Sequence, residues 1–297
     1  MTTSLRALAL CFLLVAGSAW GLEVVDQTGR TLTLPAPPRR IVSLVPSVTE
    51  ILFAIGAQET LAGVTDFCDF PADAKRKPSV GGMISPSLET LVTLKPDLVV
   101  ATRSGNRAET FDQLKRLGLP IYLVDPSSVG DVMRLVGGLG ELTGHRDGAS
   151  AVTADLERRI KMVGERIAGR PRPRVLYVLW PDPLIVPGRG ALVSELITLA
   201  GGESVTADLG AGYPRMSLEA AVGRAPEVIV LASHGGGTPV GRDKWERLES
   251  LPAVKSKRLY TADGNVMHRY GPRLIDGIET LARLIHPEAF GPEAFGK

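Results

Sequence analysis

The stretch Pro86-Ser-Leu-Glu-Thr-Leu-Val-Thr-Leu-Lys-Pro-Asp-Leu-Val-Val-Ala101 decides the fold, because it returns in altered form as Met216-Ser-Leu-Glu-Ala-Ala-Val-Gly-Arg-Ala-Pro-Glu-Val-Ile-Val-Leu231. Each copy reads as a short helix opened by Ser-Leu-Glu, stopped near a proline and followed by a buried strand. Two further pairs flank it: Arg40-Ile-Val-Ser-Leu44 with Arg174-Val-Leu-Tyr-Val-Leu179, and Pro120-Ile-Tyr-Leu-Val-Asp125 with Arg258-Leu-Tyr-Thr-Ala-Asp263. All three pairs stand about 130–140 residues apart, which predicts two similar lobes made by duplication. Strands that alternate with helices predict an α/β fold with mainly parallel sheets covered on both faces.

Between the halves, residues 147–168 place charges at helical spacing, with apolar Val152, Leu156, Ile160, Val163 and Ile167 and no internal proline. This pattern predicts one long helix of more than about 30 Å, a rigid spine between the lobes that restricts them to small motions. The expected organisation is an N-terminal hairpin and connector over 22–38, with its turn at Thr28-Gly29-Arg30. An N-terminal lobe over 39–145, the inter-lobe helix over 146–169 and a C-terminal lobe over 170–297 follow. Helices are also predicted over 46–57, up to Leu117, over 192–199 and over 245–251, with a strand over 61–65.

A net charge of +2 without a basic stripe excludes an electrostatic nucleic-acid footprint. The first six residues carry Arg6, Ala7 to Gly17 form an apolar run too short to span a bilayer, and Ala19-Trp20-Gly21 matches a signal-peptidase site. Residues 1–21 are therefore expected to be an export signal, with cleavage near Gly21. Lipidation at Cys11 would require a small residue where Leu10 stands. The exported chain keeps one cysteine, Cys68, so it forms no internal disulfide and its fold rests on core packing.

In open parallel sheets, ligands bind beyond the C-terminal strand ends. The loops there are 66–71, 81–85, 103–106, 180–189, 210–215, 234–238 and 264–273. They hold Phe67, Phe70, Trp180, Tyr213 and Tyr270, a large share of a chain that is only 5% aromatic, and so point to a flat, partly apolar ligand; packing beneath the loops is the bland alternative. No Gly-x-Ser-x-Gly elbow and no Walker A loop is present, and Gly188-Arg-Gly190 lacks a third glycine. His234 and His268 are isolated, which fits hydrogen bonding better than metal ligation. Asp66, Asp69 and His268 are what an exported α/β enzyme would have to use, although a turn role suits the aspartates beside Pro71. Glu89 and Glu219 have an ordinary reading as first-turn acids that favour the helix dipole; that does not explain why both lobes keep the acid in the same setting.

The chain resembles the substrate-binding proteins of cobalamin, haem and iron-siderophore ABC importers. The resemblance runs from about Arg40 to Ile285, on Arg40-Ile-Val-Ser-Leu-Val-Pro-Ser-Val-Thr-Glu50, Gly63-Val-Thr-Asp-Phe-Cys-Asp-Phe-Pro71, Val80-Gly-Gly, Ser87-Leu-Glu through Val99, and Gly271-Pro-Arg273. Within it, Thr65 to Pro71 and Glu89 to Val100 are most similar to the cobalamin-binding branch. The resemblance implies two α/β lobes on a helical backbone, a corrinoid held in the cleft, and delivery to the permease dimer of an ABC importer in the inner membrane. It also implies a periplasmic location and no catalysed reaction; no resident cofactor and a monomeric chain are expected. Glu89 and Glu219 match the family's permease-docking glutamates. The candidate ligand-binding residues are Phe67, Cys68, Asp69, Phe70, Gly82, Met83, Arg103, Asn106, Trp180, Tyr213, Asp263, His268 and Tyr270. Met83 and Thr102 stand near positions where the cobalamin branch leads one to expect tryptophan. The alternatives are haem, with His268, Tyr213 or Tyr270 as axial ligand, and a ferric siderophore.

Overall fold

The computed structural model describes residues 22–233 and 241–291. The expected export signal over 1–21, the 234–238 loop with His234, and the last six residues of the chain lie outside them.

Each lobe is built on a four-stranded parallel sheet. In the N-lobe the order across the sheet is Leu61–Val64, Ile41–Ser43, Leu98–Thr102, Ile121–Val124. In the C-lobe it is Glu203–Ser204, Arg174–Val178, Val228–Ser233, Leu259–Asp263. Counted along the chain within its lobe, either sheet runs second, first, third, fourth, so the duplication read from the sequence is a duplication of topology. The N-terminal hairpin pairs Leu22–Val25 with Thr31–Leu34, as its turn predicted.

The repeated stretch behaves alike in both lobes, down to its backbone. Ser87 accepts from the Thr90 amide at 3.2 Å and Ser217 from the Ala220 amide at 3.1 Å, capping the helices Leu88–Thr93 and Leu218–Gly223. Each helix exits through a left-handed residue before the proline, Lys95 at φ 45° and Ala225 at φ 43°. The acid after that proline then binds the start of the lobe's first strand. Asp97 accepts from the Arg40 amide at 3.0 Å, and Glu227 from the Arg174 amide at 2.8 Å. The Pro-Asp and Pro-Glu pairs thus anchor one strand to the next.

Two apolar layers sandwich each sheet. In the N-lobe, Ile51, Leu52, Leu135, Leu139 and Leu142 cover the spine side, and Leu91 and Leu114 the outer side. In the C-lobe, Leu156, Leu196, Ile278 and Leu281 lie on the spine side, and Ala221, Trp245 and Leu251 on the outer side. The helices that carry Glu89 and Glu219 are therefore the outer ones in both lobes. A helix that crosses back over a parallel sheet starts at the C-terminal strand ends, so both acids stand on the cleft side of the molecule.

The spine helix runs over Arg146–Ile167, 22 residues or about 33 Å. Leu156 and Val163 are buried in the C-lobe core, Ala149 in the N-lobe core, and Val152 packs against both. Arg159 ties the helix to the C-lobe through Asp276 at 2.7 Å and Glu279 at 2.9 Å. On the other side, a Cβ at Gly148 would fall 2.1 Å from the Ile55 carbonyl oxygen, so the spine touches the N-lobe backbone directly. Gly148→Ala should force these elements apart and cost about 1–3 kcal/mol. The check is a lower denaturant midpoint at unchanged slope; an unmoved midpoint would contradict the close approach.

Two long helices were not anticipated. Val129–Thr143 carries Gly130, Gly137, Gly138 and Gly140, whose low helix propensity hides its pattern, yet a Ser128/Asp131 capping box starts it and left-handed Gly144 stops it. Its first turn buries Val129 and Val132 in the C-lobe core and its remainder packs on the N-lobe, so it is a second bridge beside the spine. Leu274–Ile285 completes the C-lobe's spine-side layer. The helix expected over 245–251 is instead two short ones, Arg242–Glu246 and Pro252–Lys255.

Candidate ligand-binding cleft

The strand order places the loops after Val64, Thr102, Val178 and Asp263 at the C-terminal strand ends of the two sheets. Among the described residues, the exposed large apolar side chains include Phe67 (58%), Phe70 (43%), Ile84 (56%) and Trp180 (46%), all in these loops. The first three come from the N-lobe and Trp180 from the C-lobe. Folding leaves apolar surface in water here at the strand ends, while the cores below are closed; such a patch is what a flat ligand would cover. Ile84 was not singled out from the sequence.

The other candidates divide by what already occupies their polar atoms. Cys68 points into the N-lobe core, its thiol 3.2 Å from the Thr49 hydroxyl and 3.3 Å from that of Thr65. Asn106 is buried; its carboxamide oxygen accepts from the Thr102 amide at 2.8 Å and its nitrogen donates to the Met83 carbonyl at 2.6 Å. It therefore fastens the Met83 turn to the end of a strand. Gly82 has open space where a Cβ would stand, and Arg103 is exposed. Asp263 caps the short helix Gly264–Met267 through the Asn265 amide at 2.9 Å. The Trp180 indole donates to the Asp182 carbonyl at 3.1 Å, which fixes the ring at the tip of a two-residue antiparallel ribbon with Leu184–Ile185.

Tyr213, Tyr270 and His268 gather on the C-lobe wall around Tyr177, a fully buried residue absent from the candidates. The His268 Nε2 lies 2.9 Å from the Tyr177 hydroxyl, and the Tyr213 ring meets His268 edge-on at 6.5 Å. Burial pushes the Tyr213 and Tyr270 phenols above their ordinary range. Both rings lean on the C-lobe core, so part of this aromatic content is packing beneath the loops.

Asp69 faces the C-lobe and bonds Arg269. Burial works to raise its carboxyl, but the bond and charge of Arg269 outweigh that and hold it below the usual carboxylate range. Asp66 accepts from the Ser79 hydroxyl, and His268 is engaged with Tyr177. The three groups that an enzyme reading would combine are each committed elsewhere. Among the described residues, no group of three or more His, Cys, Asp or Glu is placed to hold a metal ion.

Glu50, Arg269 and Arg273 are absent from the candidate site residues, although Glu50 and Arg273 lie in stretches that carry the resemblance. Glu50 enters the sequence analysis only at the end of a resemblance stretch, yet its neighbours Val48, Ile51 and Leu52 are all buried. An acid among such residues is itself a sign of a hidden cationic partner.

Glu89 and Glu219 are both exposed. The backbone N–H of Glu219 and the Ser217 hydroxyl hold the Glu219 carboxyl below its ordinary range. Leu88, Val92, Gln113, Arg116 and Leu117 form with Glu89 a shallow, mostly apolar groove.

Two duplicated parallel-sheet lobes, a helical backbone and an aromatic patch at the facing loops define a two-lobed solute-binding protein. Residues 41–266 match the model of the periplasmic binding protein family, and the chain belongs to that family. It is 32% identical over 277 residues to an uncharacterized ABC transporter substrate-binding lipoprotein of Bacillus subtilis, covering 91% of this chain and 87% of that one. It is 27% identical over 254 residues to the vitamin B12-binding protein of Vibrio cholerae, covering 86% and 91%. The crystal structure of the periplasmic vitamin B12 binding protein of Vibrio cholerae superposes with a TM-score of 0.75 at 26% identity, covering 86% of this chain and 98% of that one. The periplasmic heme-binding protein of Roseiflexus sp. RS-1 superposes with 0.74 at 26% identity, covering 84% and 99%. The family's proteins are substrate-binding components of ABC transporters, with a small-molecule ligand and a permease partner.

Proposed function

We propose that this chain is exported, captures a corrinoid such as cobalamin between its lobes, and hands it to the permease dimer of an ABC importer without catalysing a reaction. The observation that carries this reading is the exposed aromatic surface on both lobes, Phe67 and Phe70 on one and Trp180 on the other. A rigid, largely flat macrocycle would bury all three, and several relatives are vitamin B12-binding proteins. The working unit is a monomer divided as 39–145, 146–169 and 170–297 after the 22–38 hairpin and connector. It acts in the periplasm once residues 1–21 are removed near Gly21; no helix among the described residues is long and apolar enough to cross a membrane. Glu89 and Glu219 are the docking contacts for the permease, one on each outer helix.

Haem is the second reading, since haem-binding proteins are among the structural neighbours. Against it, burial holds the Tyr213 and Tyr270 phenols protonated, and Nε2 of His268 is taken by Tyr177, so axial ligation would have to overcome that burial or break the existing bond. Calorimetric titration of the mature chain with cyanocobalamin, cobinamide, haemin and a ferric siderophore tests both. Saturable binding of the corrinoids, with quenching of tryptophan fluorescence, is expected. A sharp haem absorption band, with no heat from either corrinoid, would transfer the assignment to haem; heat from the siderophore alone would transfer it there.

A further inference from the structure

The lobes also meet through a compact network of four charges. Glu50, on the N-lobe helix Pro46–Ala54, has a side chain only 2% exposed. It accepts from Arg269 Nη1 at 3.0 Å and from Arg273 Nε and Nη2 at 2.9 and 2.7 Å. Both arginines belong to the C-lobe, more than 200 positions further along the chain. The backbone between them docks as well, for a Cβ at Gly271 would lie 3.5 Å from the Cα of Ser47.

Each arginine then reaches past Glu50 to the same N-lobe loop. Arg269 bonds the Asp69 carboxylate and, through Nη2, Asn265 at 3.1 Å. The Arg273 guanidinium lies over the Phe70 ring, 4.0 Å from its centroid. Two acids and two arginines leave the network neutral, which is how a nearly buried carboxylate is tolerated. Arginine suits both tasks, since its planar fork can bond a carboxylate along an edge while its face stacks on an aromatic ring. Asp69 and Phe70 sit in the 66–71 loop beside exposed Phe67, so the loop that offers aromatic surface to the cleft is held from outside by the opposite lobe.

We propose that Glu50, Arg269 and Arg273 form a cross-lobe clamp that positions the Asp66–Pro71 loop, so that C-lobe side chains shape the N-lobe half of the ligand cleft. They are positioning residues, acting on ligand through Asp69 and Phe70. The clamp deepens the proposed function and rests on it only in taking this loop as ligand-facing.

Amide hydrogen exchange on the unliganded mature chain tests the clamp without any ligand. In Arg273→Gln, exchange at residues 66–70 should rise about tenfold or more while the strands Leu98–Thr102 and Val228–Ser233 keep their wild-type rates. Phe70→Leu leaves every Glu50 ion pair in place and should loosen the same loop, which keeps the test alive if Arg273→Gln does not fold. Unchanged loop exchange in the folded variants overturns the proposal, and so does an equal rise in loop and strands, which is a global stability effect. In cyanocobalamin titrations, the losses from Phe70→Leu and Arg273→Gln should be non-additive, the double variant binding about as weakly as the worse single one. Full additivity would overturn the positioning role. Absence of cyanocobalamin binding in the wild type would defeat the corrinoid reading, with the exchange result still deciding the clamp.

Discussion

Reversing both proposed docking acids, Glu89→Arg with Glu219→Arg, is expected to abolish ligand import in cells while the purified protein keeps its ligand affinity within about twofold. Both acids are exposed in the first turns of the outer helices, and the capping of those helices is done by Ser87 and Ser217. Losing a first-turn acid costs only about 0.3–1 kcal/mol of helix-dipole interaction, so the fold should survive both changes. Like charges forced together across a protein interface cost several kcal/mol, which is ample to stop a docking step that relies on two matched contacts. A single reversal should leave partial import. Import assayed in a strain that depends on this protein, beside calorimetry on the purified variant, separates the possibilities. Weakened ligand binding would return Glu89 and Glu219 to a structural role, and undiminished import would remove them from the docking surface.

Replacing Phe70 and Trp180 by alanine together should weaken corrinoid binding by about 100-fold. Each ring keeps roughly half its surface in water in the free protein. Covering about 50–80 Å² of it at ~25 cal/mol per Å² stabilises the complex by about 1–2 kcal/mol per ring, roughly tenfold each. The rings belong to different lobes, so their losses should add approximately. Phe70→Ala should be the larger of the two, because it also frees the ring's contact with Arg273. Trp180→Ala ought to change thermal stability little, since nearly half of the residue's surface is in water. Titration of the two single variants and the double variant with cyanocobalamin gives the answer. Wild-type affinity in both single variants would mean that the ligand lies elsewhere in the cleft.

Periodicity and repetition made most of the architecture legible in the sequence. The Ser-Leu-Glu helices, the strands that follow them and the spine over Arg146–Ile167 stand where the pattern put them. Where glycine diluted the pattern, as in Val129–Thr143, the helix escaped notice, because its stability comes from packing against two cores rather than from propensity. The aromatic loop residues were also legible, as residue types in strand-end positions. Which of them face water was not: Phe67, Phe70 and Trp180 are exposed, whereas Tyr213 and Tyr270 lean on the core.

By itself, then, the sequence determined the two lobes, their parallel sheets, the helical backbone and the pairing of Glu89 with Glu219, since each is written in neighbouring residues or in a repeat. Only the tertiary structure decided how polar atoms are spent. The Asn106 carboxamide is consumed by backbone, the Cys68 thiol turns inward, and His268 is claimed by Tyr177. It alone brought Glu50 to Arg269 and Arg273, across more than 200 residues of chain. The physical reason is that a hydrogen bond or ion pair depends on ångström-scale distance and direction between groups that chain order does not constrain, whereas burying an apolar face needs only the right period.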